Sequence, residues 1–347
     1  MNTNDILILR GEEVIKLLKG QELRVIDTVQ AAYAAHASGG SSLPHSLFLR
    51  FPDDPRNRII ALPAYLNHGF NAAGMKWIAS FPANGLSGLD RASAVLIINS
   101  ATTGRPEAML EASVISARRT AASAALAARC LSSEREVERV GLIGCGLINY
   151  EIVRFLLAVF PTIGSLAVYD KSSNSAAVFT EKIHELFAGL EVQVKPHVDD
   201  VFASSKLISF ATTAVEPFVE NIDACLPGST ILHVSLRDLK PQVILGADNV
   251  VDDVDHVCRA QTSIHLAEQM AGNREFIRCT LADVFGGSAP LKQDPSQVTI
   301  FNPFGLGVLD LALGKLVCNL AAEQSVGTVI PSFLPEVWHQ RSEAAVA

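Results

Sequence analysis

RVGLIGCGLIN, Arg139 to Asn149, reads as a strand, a tight turn and the opening of a helix. Val140, Leu142 and Ile143 form a short apolar strand, and Gly144 and Gly146 form the turn. Gly144 permits a backbone angle closed to other residues, and Gly146 lets a phosphate come close to the main chain. The run 148–160 carries Ile152, Phe155, Leu156 and Val159 at helical spacing. Its start, with Leu147 and Ile148, directs unpaired N–H groups at that phosphate. A second strand, Ser165–Tyr169, ends in Asp170. That lies about 20 residues further on, where an acidic side chain takes the ribose hydroxyls of a dinucleotide. Asp170 favours NAD over NADP, because a 2′-phosphate meets its charge, although Lys171 beside it works the other way. Asn149 stands where this fingerprint has its third glycine, and looser helix–sheet packing is tolerable there. The competing reading is a glycine turn that is only structural.

The chain has 347 residues, enough for two domains each with its own core. Hydrophobic residues make up 49% and charged residues 18%, the signature of a compact protein rather than a disordered one. The 28 Lys and Arg against 36 Asp and Glu leave a net charge of −8. No basic stripe is visible, which argues against nucleic acid. The 6 cysteines lack metal-ligand spacing and suit reduced thiols in a cytoplasm. No signal pattern or bilayer-length apolar run is found, so no membrane partner is expected.

Upstream of the glycine turn, 12–18 and 22–37 read as amphipathic helices and 46–51, 58–65, 72–81 and 92–99 as extended segments. The alanine-rich stretch 111–132 reads as one long helix. From residue 137 strands near 139–143, 165–169, 191–195, 206–211, 229–234 and 248–252 alternate with helices. That pattern predicts a parallel, doubly wound sheet of Rossmann type. After a strand at 298–302, the helix 306–324 has no sheet left to cover, and the tail is too short for a domain of its own. It is expected to pack back on the first region. The expected division is 1–128 plus 305–347, a smaller α+β domain, around 129–304, the dinucleotide-binding domain.

Several charges sit where charges are out of place. Arg50 and Lys76 lie in strand-like segments, either as snorkelling strand ends or as functional cations. Arg118 and Arg119 lie mid-helix among small residues, so at least one needs a buried anion: a substrate carboxylate, or an internal partner such as Glu111. Asp238 follows the apolar strand 230–236 at its carboxyl end, where ligands bind in open parallel sheets, or else it caps the segment after Pro241. Thr212 and Thr213 end the preceding strand within reach of a nicotinamide ribose or amide. His233, inside a strand, reads as a satisfied core histidine, and no metal signature is present.

Taken together, GMKW at 74–77, RTAA at 119–122, GCG at 144–146, YD at 169–170, ATT at 211–213 and NPFGLGVLDLA at 302–312 resemble the ornithine cyclodeaminase/μ-crystallin family over nearly the whole chain. DRAS at 90–93, EAS at 111–113, IGCGLI at 143–148 and VSLRD at 234–238 look most like its branch that makes L-2,3-diaminopropionate for siderophores and antibiotics. LRDLKPQ at 236–242 replaces the glycine-rich stretch typical of cyclodeaminases, which speaks against ornithine. The resemblance implies a Rossmann domain inserted in a substrate and dimerisation domain, and a homodimer. It implies NAD held by Gly144, Gly146 and Asp170, and the α-carboxylate taken by Arg50 and Arg119. Lys76 would lie beside the reacting carbon and nitrogen, and Asp238 would be the acid/base group. Arg91 is the choice for a further carboxylate. The implied activity is NAD-dependent oxidative cleavage of N-[(2S)-2-amino-2-carboxyethyl]-L-glutamate, with ornithine cyclodeamination and non-enzymatic ligand binding as the alternatives.

Overall fold

The computed structural model describes residues 4–132 and 136–338. The chain divides into two compact units: Met1–Gly20, Ser38–Ser116 and Gly307–Ala347 form the first, and Gln21–Ala37 with Ala117–Leu306 the second.

In the first unit, strands β1 (Ile6–Leu9), β2 (Ser41–Ser42), β3 (Leu47–Phe51), β4 (Asp54–Leu66), β5 (Ala72–Ser80), β6 (Ala92–Ser100) and β7 (Pro106–Glu111) form a sheet that also takes in β16 (Thr328–Ile330). Its order is β16-β1-β7-β6-β5-β4-β2, with β3 also on β4. Helix α1 (Gly11–Leu17) follows β1. Only β1 and β7 pair in parallel. Pro63 sits in mid-strand because it falls between the stretch of β4 paired to β3, which ends at Ala61, and the stretch paired to β2, which starts at Tyr65. Its missing N–H therefore leaves no ladder bond unmade on that side. Helix α11 (Gly307–Gln324) packs on β4, β5 and β6, so the C-terminal helix does return to the first region. The expected long helix is shorter, α3 (Ser113–Leu131), because Glu111 ends β7 and its carboxylate accepts the N–H groups of Ser113 (2.6 Å) and Val114 (3.3 Å).

The second unit is a parallel sheet of β8 (Arg139–Ile143), β9 (Ser165–Tyr169), β10 (Glu191–Val194), β11 (Leu207–Phe210), β12 (Thr230–His233), β13 (Asp248–Val251), β14 (Ile277–Thr280) and β15 (Thr299–Asn302). Its order is β10-β9-β8-β11-β12-β15-β13-β14. The intervening helices are α4 (Leu147–Val159), α5 (Ser173–Leu186), α6 (Val198–Phe202), α7 (Pro241–Leu245), α8 (Val254–Val257), α9 (Ser263–Ala271) and α10 (Leu281–Phe285). This is the predicted doubly wound α/β fold, and β8 between β9 and β11 marks the switch point where ligands bind. Helix α2 (Glu22–Ala37) packs on α4 and α10, and Tyr33 shares a 2.7 Å hydrogen bond with Ser123 of α3. Residues 21–37 and 117–128 thus fall in the second unit rather than the first, because an apolar helix stripe records that a surface is covered and not by what.

Candidate cofactor cleft and acid/base site

The glycine turn lies at the switch point. Gly144 has φ +96, and a Cβ there would stand 2.4 Å from the carbonyl oxygen of Ala211 at the end of β11. Only glycine lets the two strand ends approach this closely. A Cβ on Gly146 would meet nothing within 4 Å and would project into open space. Gly146 is the N-cap of α4 without a side-chain cap, which leaves the first amides of α4, at Leu147 and Ile148, free of intrahelical acceptors. Asn149 does more than tolerate the missing glycine. It is fully buried, donates to the carbonyls of Ile143 (3.1 Å) and Gly144 (2.6 Å), and accepts from the Ser209 hydroxyl (2.8 Å). An amide thus latches the turn to β11 in place of a third glycine.

A cleft of about 1060 Å³ opens there, lined among others by Gly144, Gly146, Asp170, Lys171, Thr212 and Thr213. Asp170 accepts the Cys145 N–H (2.8 Å) and the Ser172 N–H (2.8 Å), so it anchors the glycine turn to the end of β9 as well as facing the cleft. Burial and the Asp170 charge push the Cys145 thiol up to about 12, which keeps it protonated and rules it out as a nucleophile. Volume, open main chain at Gly146, an uncapped helix start and a carboxylate at the second strand end together fit a dinucleotide.

Asp238 is wholly buried at the carboxyl end of β12. The chain turns back there through Leu236, held at φ +67, a left-handed conformation unusual for a branched side chain. The turn brings the Asp238 carboxylate 3.1 Å from His233 Nε2, and the hydroxyls of Ser235 and Thr212 donate to its two oxygens. Burial raises its pKa, but the bond and charge of His233 and the two hydroxyls outweigh it and hold the carboxyl below its ordinary value. It caps no helix: α7 begins after Lys240, without a side-chain cap. His233 is the satisfied core histidine expected, fully buried at the end of β12 with both ring nitrogens partnered, and it is also part of this network. Its neighbour Thr212 is bonded to Asp238 and also lines the cleft.

The two mid-helix arginines part company. Arg118 lies 3.6 Å from Glu151, so the internal-partner alternative holds for it, with Glu151. Arg119 lies against the segment 302–307, where a Cβ on Gly305 (φ +88) would come within 2.7 Å of its Nη1. That segment is held by Asp252, which accepts the N–H groups of Phe304 and Gly305 at 2.8 Å each.

In the first unit, Lys76 is 2% exposed and paired to Asp310 of α11 at 2.7 Å, with Ser116 at 3.0 Å. Strand register puts Lys76, Ser80 and Arg50 on the face that α11 covers. Arg50 is exposed, its guanidinium 5.6 Å from the Phe48 ring, and half-buried Arg91 donates to Ser80 at 3.3 Å. Asp310, Ser116, Ser235 and Asn302 were missed by spacing and periodicity. Only Asp310 left a sequence signal, as an acid inside the apolar run GVLDLALG. Among the described residues no cluster suits a metal ion, and no helix is long and apolar enough to cross a membrane.

A two-unit protein with a doubly wound sheet, a dinucleotide-sized cleft at its switch point and a buried carboxylate beside that cleft defines a class of cofactor-dependent proteins. The sequence profile of the ornithine cyclodeaminase/mu-crystallin family matches residues 6–325, and the chain belongs to that family. It is 28% identical, over 88% of its length and 92% of the relative's, to N-((2S)-2-amino-2-carboxyethyl)-L-glutamate dehydrogenase of Staphylococcus aureus. Among solved structures it resembles Δ1-pyrroline-2-carboxylate reductase of Thermococcus litoralis in complex with NADH and L-proline: 25% identity, TM-score 0.86, 93% and 99% of the two chains. It also resembles an archaeal alanine dehydrogenase dimer with bound NAD: 27% identity, TM-score 0.82, 94% and 99% coverage.

Proposed function

We propose that this protein is an NAD-dependent dehydrogenase acting on a carbon–nitrogen bond of an amino-acid conjugate. The substrate we assign is N-[(2S)-2-amino-2-carboxyethyl]-L-glutamate, cleaved with water to L-2,3-diaminopropionate and 2-oxoglutarate for siderophore or antibiotic synthesis. The observation that carries this reading is the buried Asp238 carboxylate, joined through Thr212 to the cleft beside β8. The 28% identity to the Staphylococcus aureus dehydrogenase supports the choice of substrate.

NAD⁺, when bound, supplies the hydride acceptor. Gly144, Gly146, Leu147 and Ile148 would hold its pyrophosphate, Asp170 a ribose, and Thr212 and Thr213 the nicotinamide end. Asp238 takes the proton released as the substrate amine becomes an imine, returns it to the imine nitrogen, and as a carboxylate again activates the water that cleaves it. Lys76, its ammonium held by Asp310 and Ser116, is assigned as the second acid/base group. Arg50 and Arg119 take the α-carboxylate and Arg91 a further one, since bidentate arginine matches carboxylate geometry. A second reading, favoured by the likeness to the Thermococcus litoralis enzyme, is an imine reductase in which these groups of this chain would work in the opposite direction.

A homodimer through the sheet of the first unit accompanies this assignment. The face of that sheet away from α11 carries Leu47, Leu49, Trp77 and Met109, 69%, 49%, 40% and 37% exposed. A sheet with one solvated face alternates apolar and polar residues, and β5 (AAGMKWIAS) does not. Its free cysteines suit a cytoplasmic setting.

The test is purified protein with NAD⁺ and the synthetic conjugate, followed by NADH absorbance. L-Ornithine is the control, and NADH with pyrroline-2-carboxylate gives the reverse arm. NADH formed with the conjugate alone is expected; turnover confined to pyrroline-2-carboxylate overturns the substrate assignment.

A further inference from the structure

We propose that Asp238 and His233 form one acid/base unit that shares a single proton, with His233 held in one tautomer by the side chains of Asn302 and Asn249. The proposal deepens the function above and rests on its assignment of Asp238. Asn249 Nδ2 donates to the carbonyls of Ile244 (2.7 Å), Ala247 (3.0 Å) and Phe276 (3.2 Å), which fixes that amide with its oxygen as an acceptor. Asn302 Nδ2 lies 3.3 Å from this oxygen and 3.2 Å from the Ile300 carbonyl. That fixes the second amide, whose Oδ1 then stands 2.8 Å from His233 Nδ1 as an acceptor. His233 must therefore carry its proton on Nδ1.

A neutral imidazole has only one N–H, so Nε2 of the neutral ring is a lone pair. It accepts the Asp238 backbone N–H at 3.3 Å. The Asp238 carboxylate oxygen nevertheless lies 3.1 Å from the same Nε2. Two lone pairs facing one another in a dry interior repel, and a proton placed between them turns that repulsion into a charge-assisted hydrogen bond. His233, Asp238, Asn249 and Asn302 are all 0% exposed, where a pair of zero net charge is tolerated and a lone charge is not. The Phe210 ring packs edge-on to the imidazole at 5.9 Å and further isolates it.

The charged groups on the adjoining segments are engaged elsewhere. Arg237 donates to the Ala260 carbonyl, Lys240 pairs with Glu220, and Asp252 accepts from Phe304 and Gly305. In amine oxidation the unit works from its deprotonated form, Asp238 carboxylate with neutral His233. It accepts one proton from the substrate nitrogen and becomes the neutral pair; no electron leaves the protein. The apparent pKa belongs to the pair and not to either residue. His233 is a positioning residue, acting on the substrate through Asp238.

The experiment uses the full chain with ¹⁵N-labelled histidine, with and without Asp238→Asn, and the kinetics of His233→Gln. In the unsubstituted protein the His233 Nε2 signal is expected to report a proton shared with the Asp238 carboxylate, and in Asp238→Asn to lose it. His233→Gln should lower kcat about 10- to 100-fold, leave KM for the conjugate and NAD affinity within about twofold, and move the acidic limb of the kcat profile to lower pH. The limb moves down because a carboxylate alone holds its proton less tightly than the pair does. A His233 Nε2 signal unaffected by Asp238→Asn overturns the shared proton, and this result needs neither folded His233→Gln nor turnover. An unshifted limb in folded His233→Gln overturns the acid/base role. Absence of any turnover with the conjugate sinks the substrate assignment instead, and the ring signals still decide the pairing.

Discussion

Two buried charged pairs, Lys76–Asp310 and His233–Asp238, hold a carboxylate by different means. The first joins residues 234 apart in sequence, from a strand and the C-terminal helix, at 2.7 Å, with the Ser116 hydroxyl also 3.0 Å from the ammonium. The second joins residues 5 apart across a single turn, 3.1 Å from each other, and gathers two hydroxyls and two side-chain amides around them. A buried pair of full charges stands or falls with its partner, because removing one leaves an uncompensated ion. A pair embedded in a hydrogen-bonded network keeps its geometry when one proton moves, which is what proton transfer requires. The difference lies in how the partner arrives: from a distant helix for Lys76, and across one turn of the same strand end for Asp238.

The largest effect expected is on turnover. Asp238→Asn keeps shape and loses the base, so kcat should fall roughly 10²- to 10⁴-fold with NAD affinity unchanged by equilibrium titration. Near-normal turnover would return Asp238 to a purely structural role. On the other side of the comparison, Asp310→Ala should cost about 3–5 kcal/mol of stability, read by denaturant unfolding, because the buried Lys76 ammonium loses the carboxylate 2.7 Å away. The double substitution Lys76→Met with Asp310→Leu should recover much of that loss. If Asp310→Ala alone is harmless, the two pairs do not differ as argued.

Arg119→Lys keeps the charge and loses the planar fork. Charge-assisted bonds of this kind are worth about 1.5–3 kcal/mol, so KM for the conjugate should rise roughly 10- to 100-fold. A fallen melting temperature with unchanged KM would make Arg119 a support for the Gly305 segment and nothing more. Asp170→Ala should weaken NAD more than NADP, since the lost contact is to the 2′-hydroxyl. The Cys145 N–H that it also holds adds loosening of the glycine turn, so both affinities should drop somewhat. A protein that prefers NADP before substitution contradicts this account of Asp170.

The smallest effect concerns Asp253, which bonds His36 Nε2 (3.0 Å) and His256 Nδ1 (2.9 Å). The hydrogen bond to Asp253, offset in part by burial, raises the His256 pKa above its ordinary value. The folded state therefore holds that proton more tightly than the unfolded chain. Its contribution is fully present below about pH 6.5 and is lost as pH rises through the folded value. Asp253→Asn should flatten this slope by at most about 1 kcal/mol, allowing for solvent screening. Stability curves against pH that are identical with and without the substitution would remove the histidine from the account.

Much of the fold was legible because its signals are local. The glycine turn, Asp170 and the strand–helix alternation each follow from a few adjacent residues, and α2 was predicted at its observed bounds, Glu22–Ala37. Strands β1, β7 and β16 were not anticipated, since a 4-residue run such as ILIL has no period to distinguish it. Asn149 shows the limit at one residue: its composition says only that it is not glycine, while its value lies in three partners brought from β8, the turn and β11.

By itself the sequence determined that this chain contains a dinucleotide-type βαβ unit, that its C-terminal helix must find a sheet elsewhere, and that Lys76, Arg119 and Asp238 are charges in apolar surroundings. Backbone conformation and burial pattern depend on neighbours along the chain, so periodicity and glycine placement carry them. Only the tertiary structure decided which partner each buried charge receives: Asp310 for Lys76, Glu151 for Arg118 and His233 for Asp238. A charge records in sequence that it needs a partner. Which partner it meets is settled by packing between elements distant along the chain or, for Asp238, by one left-handed residue that turns it back onto its own strand.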